Sequence, residues 1–145
     1  MNPMKSKILL LLFFFIQTTI SAQYPADKIL GIYLTDEKDA KVEIFKQGNK
    51  YFGKTIWLKS KSNVDSKTLL DKNNPNKALR NRPLLGLVFI TDLVYKKGEW
   101  VDGKLYAPKE GLTVNGKFRF LPNGDLELKA SYLLITDTRI WKRIQ

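Results

Sequence analysis

Apolar and polar residues alternate over short stretches along most of the chain, as they do in half-buried antiparallel strands. Polar or glycine-containing turns separate these stretches, and none is a convincing long helix. The pattern therefore predicts an all-β protein of about eight strands. The predicted strands cover residues 29–34, 41–44, 51–58, 84–93, 100–106, 113–121, 126–133 and 138–144.

The turns between these strands indicate how the chain folds back on itself. Segments 47–50 (QGNK) and 122–125 (PNGD) contain residues that tolerate positive φ and predict hairpins. Gly53 and the pair 102–103 (DG) lie within strands and predict bulges or bends. Eight such strands fit an up-and-down barrel or a two-sheet sandwich. We favour a small antiparallel barrel, because eight strands can close without an open edge and leave room for one small ligand.

Residues 1–22 have the composition of a secretory signal peptide. Lys5 and Lys7 precede an unbroken apolar run, 8–16, and the segment ends in Ser-Ala at position 22. The run is well short of the roughly 20 residues that span a bilayer. We therefore expect cleavage after Ala22, which leaves residues 23–145 as one exported barrel domain in the periplasm or outside the cell.

The composition excludes several kinds of chemistry. The chain has no His and no Cys, which excludes imidazole bases, thiol nucleophiles, disulfides, a lipid-bearing cysteine and the usual zinc ligands. Its glycines are scattered singly, so it has no phosphate-binding loop or dinucleotide fingerprint. The acidic residues of the later strands show no spacing that selects a catalytic pair. The sequence thus assigns no catalytic residue, metal or cofactor, and it favours a binding protein over an enzyme.

A long connection between the third and fourth predicted strands, residues 59–83, is the most basic part of the chain. At about 25 residues it is longer than a connection between strands needs, which predicts a turn of helix or a binding role. Positive charge here would attract polyanions and anionic membranes, or would simply keep this face soluble. Seven cations, Lys59, Lys61, Lys67, Lys72, Lys77, Arg80 and Arg82, are opposed by two anions, Asp65 and Asp71.

The second half of this connection, residues 71–86 (DKNNPNKALRNRPLLG), has the most unusual composition. Pro75 and Pro83 exclude a continuous helix. Arg80 and Arg82 lie just before the next strand and allow two interpretations. Their guanidinium groups either pair with carboxylates or carbonyls and fix the loop across the mouth of the barrel, or they bind an anionic group of a ligand.

The polar residues ahead of these arginines predict local structure. Asp71, Asn73 and Asn74 can bond to nearby backbone and supply turn or N-cap geometry. Such geometry would begin a single helical turn over residues 77–79.

Several motifs together resemble a known bacterial family, domain of unknown function 2147. They are the Asp-x-Asn-Asn-Pro string at 71–75, the Leu-Arg-x-Arg-Pro-Leu-x-Gly string at 79–86, GKLYAP at 103–108 and TRIWKR at 138–143. The resemblance extends from about residue 30 to residue 143, with Tyr33 where the family usually has Trp. It implies an exported, lipocalin-like barrel, and it implies no particular activity.

We therefore expect a monomeric barrel that binds a small amphipathic or anionic molecule in the cell envelope. An alternative is an interaction module without an internal ligand, whose basic loop, 59–82, docks on anionic lipid or a partner protein. A third class, an enzyme, would use carboxylates and an arginine. Export argues against a nucleic acid as partner. The residues expected to bind the ligand are Asn73, Asn74, Arg80 and Arg82 at the mouth, with Trp57 and Tyr106 on the wall.

Overall fold

The computed structural model describes residues 25–60 and 65–145, and the predicted signal peptide, residues 1–22, lies outside them. The described part of the chain is a succession of β-strands with three short 3₁₀ turns, Pro25–Ile29, Ser66–Thr68 and Lys77–Leu79. None of its helical segments is long and apolar enough to cross a bilayer. The strands are β1 Gly31–Leu34, β2 Ala40–Gln47, β3 Lys50–Leu58, β4 Val88–Lys96, β5 Glu99–Ala107, β6 Leu112–Phe120, β7 Leu126–Tyr132 and β8 Ile135–Arg143.

The eight strands form a closed antiparallel barrel in the order in which they follow one another in the chain. β8 closes the ring by pairing with β1, Arg143 opposite Tyr33 and Lys142 opposite Leu34. The predicted all-β up-and-down barrel is thereby confirmed. Since every neighbour is antiparallel, the connections alternate between two ends. We call the end with the β1–β2, β3–β4, β5–β6 and β7–β8 connections the mouth, and the other the closed end.

Gly53 and Gly103 lie where the ladders are irregular, as predicted. The register between β3 and β4 shifts on both sides of Gly53. The register between β5 and β6 shifts between Trp100 and Gly103, where Asp102 has a φ of 61°. Such bulges bend a strand and increase its twist, which helps a small sheet to close.

Two strands begin later than the sequence pattern predicts. β1 begins at Gly31 and not at Ile29, because Ile29 ends the first 3₁₀ turn. β4 begins at Val88 and not at Leu84, because Gly86 has a φ of 81° and takes the backbone out of the extended conformation. The amide of Leu84 donates to the carbonyl of Leu69, within the long connection. The apolar residues before Val88 therefore belong to the mouth and not to the fourth strand.

The first 3₁₀ turn seals the closed end. Its Ile29 is fully buried, and the Ile29 carbonyl accepts a hydrogen bond from the Tyr33 hydroxyl at 2.9 Å. The Trp100 indole donates to the Ala26 carbonyl at 2.9 Å. The Arg143 guanidinium lies 5.4 Å from the centre of the Tyr33 ring. This end is closed by packed aromatic rings whose polar atoms are hydrogen-bonded.

The core fills the barrel from the closed end upward, and its packing depends on glycines that face inward. A Cβ on Gly103 would lie 2.4 Å from Cδ2 of Leu93 and 3.2 Å from the Thr91 carbonyl oxygen. Leu93 is fully buried in the core and has little space in which to move. Gly103 thus provides the room that Leu93 occupies.

We expect Gly103→Ala to lower the free energy of unfolding by about 1–3 kcal/mol, because it overpacks a filled core. Chemical denaturation measures this change. Leu93→Ala and the double variant Gly103→Ala/Leu93→Ala complete a double-mutant cycle. In the Leu93→Ala background, Gly103→Ala should lower the free energy of unfolding much less, because the shortened side chain leaves room for the new Cβ. Strictly additive effects would contradict this packing.

Candidate functional site

The barrel interior is not filled at the mouth end, where it contains a cavity of about 360 Å³. Its wall comes from inward-facing residues of most strands, together with the residues that lead into β4. The lining is predominantly apolar, as in sites for small molecules. The apolar wall includes Val42, Leu58, Leu84, Leu87, Phe89, Leu105, Val114, Leu128, Ala130 and Trp141.

The cavity exists because inward-facing side chains become smaller toward the mouth. On β6, Phe118 fills the closed end and Val114 lines the cavity. On β7, Leu126 is fully buried at the closed end, whereas Ala130 lines the cavity. The ring of Trp141 lines the cavity and packs edge-on against Phe118, with ring centres 5.7 Å apart. Trp141 therefore separates the packed half of the barrel from the open half.

Charged residues of both signs surround the opening. Arg139, on β8, lines the cavity and donates from Nε to Asp137 at 2.7 Å and from Nη1 to Glu37 at 3.1 Å and Asp36 at 3.3 Å. Lys109, in the β5–β6 turn, lies 3.6 Å from Glu37. The hydrogen bonds that Arg139 donates to Asp137 and Asp36 raise the pKa of Arg139 above its already high usual value. The rim can therefore offer both hydrogen-bond donors and acceptors to a polar group at the opening.

Beside the cavity, the long connection is organised around the fully buried carboxylate of Asp71. The Tyr106 hydroxyl donates to Asp71 Oδ1 at 2.6 Å. Asn74 Nδ2 and Arg82 Nε donate to Oδ2 at 2.7 Å and 2.8 Å. In the described part of the chain, no buried side-chain nitrogen or oxygen lacks a hydrogen-bond partner, so this group satisfies itself internally.

The protonation states of this group follow from burial and from its hydrogen bonds. Burial alone would raise the pKa of Asp71, but the hydrogen bonds from Tyr106, Asn74 and Arg82 outweigh burial and lower that pKa below its ordinary value. Burial and the hydrogen bond to Asp71 raise the pKa of Tyr106. At neutral pH the group is a carboxylate held by a neutral phenol, an amide and a guanidinium.

The local structure around Asp71 agrees with the predicted turn over residues 77–79, which is a 3₁₀ turn. The residue that caps it is Asn76, whose Oδ1 accepts from the Ala78 amide at 3.0 Å. Asn74 has a different role, since its Oδ1 accepts from the Asn76 amide at 2.9 Å and forms a turn one step earlier. The predicted turn geometry is thus confirmed for Asn74, whereas the N-cap is Asn76 and not Asp71, Asn73 or Asn74.

The loop is also fixed to the β5–β6 turn. Asn73 Nδ2 donates to the Lys109 carbonyl at 2.7 Å. Gly111 has a φ of 65°, and a Cβ at this position would lie 2.0 Å from the Asn73 carbonyl oxygen. This close approach of two backbones requires glycine at 111. The long connection is thus held against the mouth from two sides.

Of the two aromatic residues predicted to lie on the wall, the structure brings one to the cavity. Tyr106 lines the cavity near its opening. Trp57 is exposed, and its ring lies 5.4 Å from Nζ of Lys41 outside the cavity wall. The bulge between Lys41 and Val42 turns Leu58 toward the cavity while Trp57 faces out.

None of the four polar residues predicted at the mouth is among the residues that line the cavity, and all four hold the loop. Asn74 and Arg82 bind Asp71, and both border an outer groove of about 300 Å³ on the other side of Tyr106. Arg80 Nε donates to the Asn74 carbonyl at 2.8 Å, and Asn73 binds the β5–β6 turn. Of the two interpretations, the structure therefore fits the one in which Arg82 pairs with a carboxylate and Arg80 with a carbonyl. Their participation in ligand binding stays a prediction.

The sequence analysis assigns neither Arg139 nor Lys109, the cations at the rim of the cavity, to ligand binding. Alternation places Arg139 on the same side of β8 as Trp141, so an arginine facing inward was a signal that this end of the barrel is not dry core. Lys109 carries no such signal, because its position depends on how the β5–β6 turn meets the β1–β2 connection.

Other surface features of the described residues are weaker candidates for a ligand site. A depression of about 450 Å³ on the outside of β5, β6 and β7 has a largely charged and polar lining that includes Lys104, Lys117 and Lys129. The described residues contain no cluster of three acidic side chains that could hold a metal ion. The cavity at the mouth is the feature whose form matches a small-molecule site.

A closed eight-stranded barrel with one sealed end and an apolar cavity at the other has the architecture of a lipocalin-like protein. The chain belongs to the family described as "Uncharacterized protein conserved in bacteria (DUF2147)", which residues 31–143 match. It is similar to the solved structure of HP1028 from Helicobacter pylori, which is described as belonging to the lipocalin family. The two share 35% sequence identity over 80% of this chain and 82% of that chain, with a TM-score of 0.69. Comparison with curated proteins finds no match.

We expect Asp71→Asn to lower the free energy of unfolding by about 2–3 kcal/mol at neutral pH, because it removes a buried charge that pairs with Arg82 and accepts from Tyr106. Glu43→Gln is the matched control, since it neutralises a half-exposed carboxylate paired with Lys54. It should change that free energy by no more than about 1 kcal/mol. Denaturant titration of the variants and the unsubstituted protein gives both values.

The cost of Asp71→Asn should also depend on pH. Because the folded-state pKa of Asp71 lies below its unfolded value, the charged carboxylate stabilises the fold fully above about pH 4. That contribution is lost as pH falls through the folded-state pKa. The difference between the variant and the unsubstituted protein should therefore shrink below about pH 4. A difference that is constant from neutral to strongly acidic pH would contradict this assignment.

Proposed function

We propose that this protein binds a small amphipathic molecule in the cell envelope, with the apolar part of the ligand in the cavity and its polar part at the rim. The cavity carries the proposal, because its predominantly apolar wall and charged rim match the two ends of such a molecule. The composition of residues 1–22 supports export to the envelope. The likeness to a protein described as a lipocalin supports binding of a small ligand.

The size of the cavity limits the ligand. A volume of 360 Å³ corresponds to about twelve water molecules at about 30 Å³ each. A single medium-length acyl chain or one small ring system fits this space. Larger ligands would have to extend past Arg139 and Lys109 into solvent.

The charges favour an amphipathic ligand over a purely ionic one. Arg82 Nε donates to Asp71 and Arg80 Nε donates to the Asn74 carbonyl, so both Nε hydrogen bonds are made within the loop. Arg139 and Lys109 are the cations that line the cavity, and both are paired with nearby carboxylates. Desolvation of apolar surface would then supply most of the affinity, and the rim would orient the polar group.

We expect Ala130→Trp to abolish ligand binding without unfolding the barrel, because the indole would occupy the cavity. Ala78→Trp is the matched control, since Ala78 lies exposed in the 3₁₀ turn at residues 77–79. Calorimetric titration with decanoate should show Ala130→Trp weakening binding by about tenfold or more, and Ala78→Trp leaving it unchanged.

Native mass spectrometry of the protein purified from its own host gives an independent readout. An added mass that is present with Ala78→Trp and absent with Ala130→Trp would reveal the natural ligand in the cavity. Two outcomes would contradict the proposal. One is that Ala130→Trp and Ala78→Trp bind decanoate equally well. The other is that the unsubstituted protein neither binds decanoate nor carries an added mass.

A further inference from the structure

The β7–β8 turn presents an exposed run of apolar side chains at the mouth. Leu133, Leu134 and Ile135 are 86%, 102% and 73% exposed, and the neighbouring Tyr132 is 44% exposed. Single exposed apolar residues are common on protein surfaces, but four in succession on one projection are not. We call residues 132–135 the apolar tip.

The backbone of the apolar tip makes this composition more unusual. Tyr132 pairs with Ile135, so Leu133 and Leu134 form a two-residue hairpin turn. Leu133 has a φ of 53°, a conformation for which hairpin turns normally use Gly, Asn or Asp. A bulky residue at positive φ is disfavoured, so the fold alone would select a different residue here. An exposed leucine in a strained position indicates a role outside the folding of the barrel.

The tip lies beside the opening of the cavity. β7 runs from the closed end to the mouth, and its Leu128 and Ala130 line the cavity just before the tip begins. The long connection lies at the same end, since it joins β3 to β4. The tip and the connection thus border the same opening.

The described part of the connection adds positive charge to this end. In the described residues, four of its lysines have no carboxylate within ion-pair distance, whereas Arg82 is neutralised by the buried Asp71. The order of the strands places the tip and the connection on opposite sides of the mouth. A mouth with apolar side chains on one side and unpaired cations on the other is complementary to a membrane with anionic headgroups, where each exposed lysine adds to attraction. The four lysines are Lys59, Lys67, Lys72 and Lys77.

Size and shape argue against a second protein as the occupant. A tip of three aliphatic side chains offers roughly a few hundred Å² of apolar surface, whereas a stable interface needs about 800 Å² from each partner. The tip is also convex, and a convex tip inserts readily into a deformable lipid interface. Tyr132, at its base, is a residue type that favours the boundary between lipid and water.

We propose that the apolar tip inserts into the headgroup boundary of an anionic membrane and holds the mouth of the barrel against the bilayer. Leu133 and Leu134 enter the apolar layer, and the lysines of the connection contact the headgroups. If the cavity binds an amphipathic ligand, as proposed above, this position lets the ligand pass between bilayer and cavity. The docking itself does not require the cavity to be occupied.

The decisive variant is Leu133→Asn/Leu134→Gly, which removes both leucines and places at position 133 a residue type that tolerates positive φ. It should bind vesicles of mixed phosphatidylglycerol and phosphatidylcholine at least about tenfold more weakly in sedimentation assays. Its melting temperature should be unchanged or higher, because the strain at position 133 is relieved. Ile144→Asn is the matched control, since Ile144 is an exposed apolar residue, 47% accessible, just after β8 at the closed end. It should bind vesicles like the unsubstituted protein.

A site-specific reporter tests insertion directly. Leu134→Trp should be quenched by brominated lipids in such vesicles, and Ile144→Trp should not, each compared with the unsubstituted protein. All variants share residues 1–24, so any binding by that segment contributes equally to each.

Several outcomes would overturn the proposal. Absence of quenching in the Leu134→Trp variant, or unchanged vesicle binding by the Leu133→Asn/Leu134→Gly variant, would show that the tip does not enter lipid. If the protein bound pure phosphatidylcholine vesicles as tightly as the mixed vesicles, the membrane would not need to be anionic, which would contradict the proposal. A dimer that dissociates in the Leu133→Asn/Leu134→Gly variant, with vesicle binding unaffected, would make the tip a protein interface instead.

Discussion

Closure of the eight-stranded sheet is the constraint on which the rest of this structure depends. Pairing of β8 with β1 fixes the size of the interior, so function is decided by what fills it. Aromatic rings and the first 3₁₀ turn occupy the closed end, where Trp100 and Tyr33 are buried and hydrogen-bonded. Valine, leucine and alanine line the mouth and leave it open. The same closed ring thereby provides both a stable core and a cavity.

The mouth depends in turn on the carboxylate of Asp71. An ion removed from water is costly unless its hydrogen bonds are complete, and here Tyr106, Asn74 and Arg82 complete them. One of these partners, Tyr106, also belongs to the cavity wall. The long connection is therefore coupled to the site through a shared side chain, although most of its polar residues serve the connection itself. A loop whose charges are satisfied internally can form the edge of an apolar cavity without filling it.

Much of this fold could be predicted from the sequence, because period-two alternation and turn residues are local signals. The hairpin at 122–125 and the bulges at Gly53 and Gly103 are of this kind. The role of Asp71 depends on Tyr106, which lies 35 positions away in the chain, and no local pattern reports such a contact. The sequence predicts Trp57 on the wall because it ends a strand next to the basic loop, but the bulge at Lys41 and Val42 turns its neighbour Leu58 inward instead. The rim cations and the apolar tip similarly depend on which connections share one end of the barrel.

The central claim is that the open half of the barrel is a ligand site and the packed half is not. The most direct measurement is an amide NMR titration with decanoate. The account predicts that resonances of Val42, Val114 and Ala130 move, while those of Ile44, Phe118 and Leu126, on the same three strands, stay in place. Shifts confined to the outer surface, or spread equally over both sets, would contradict it.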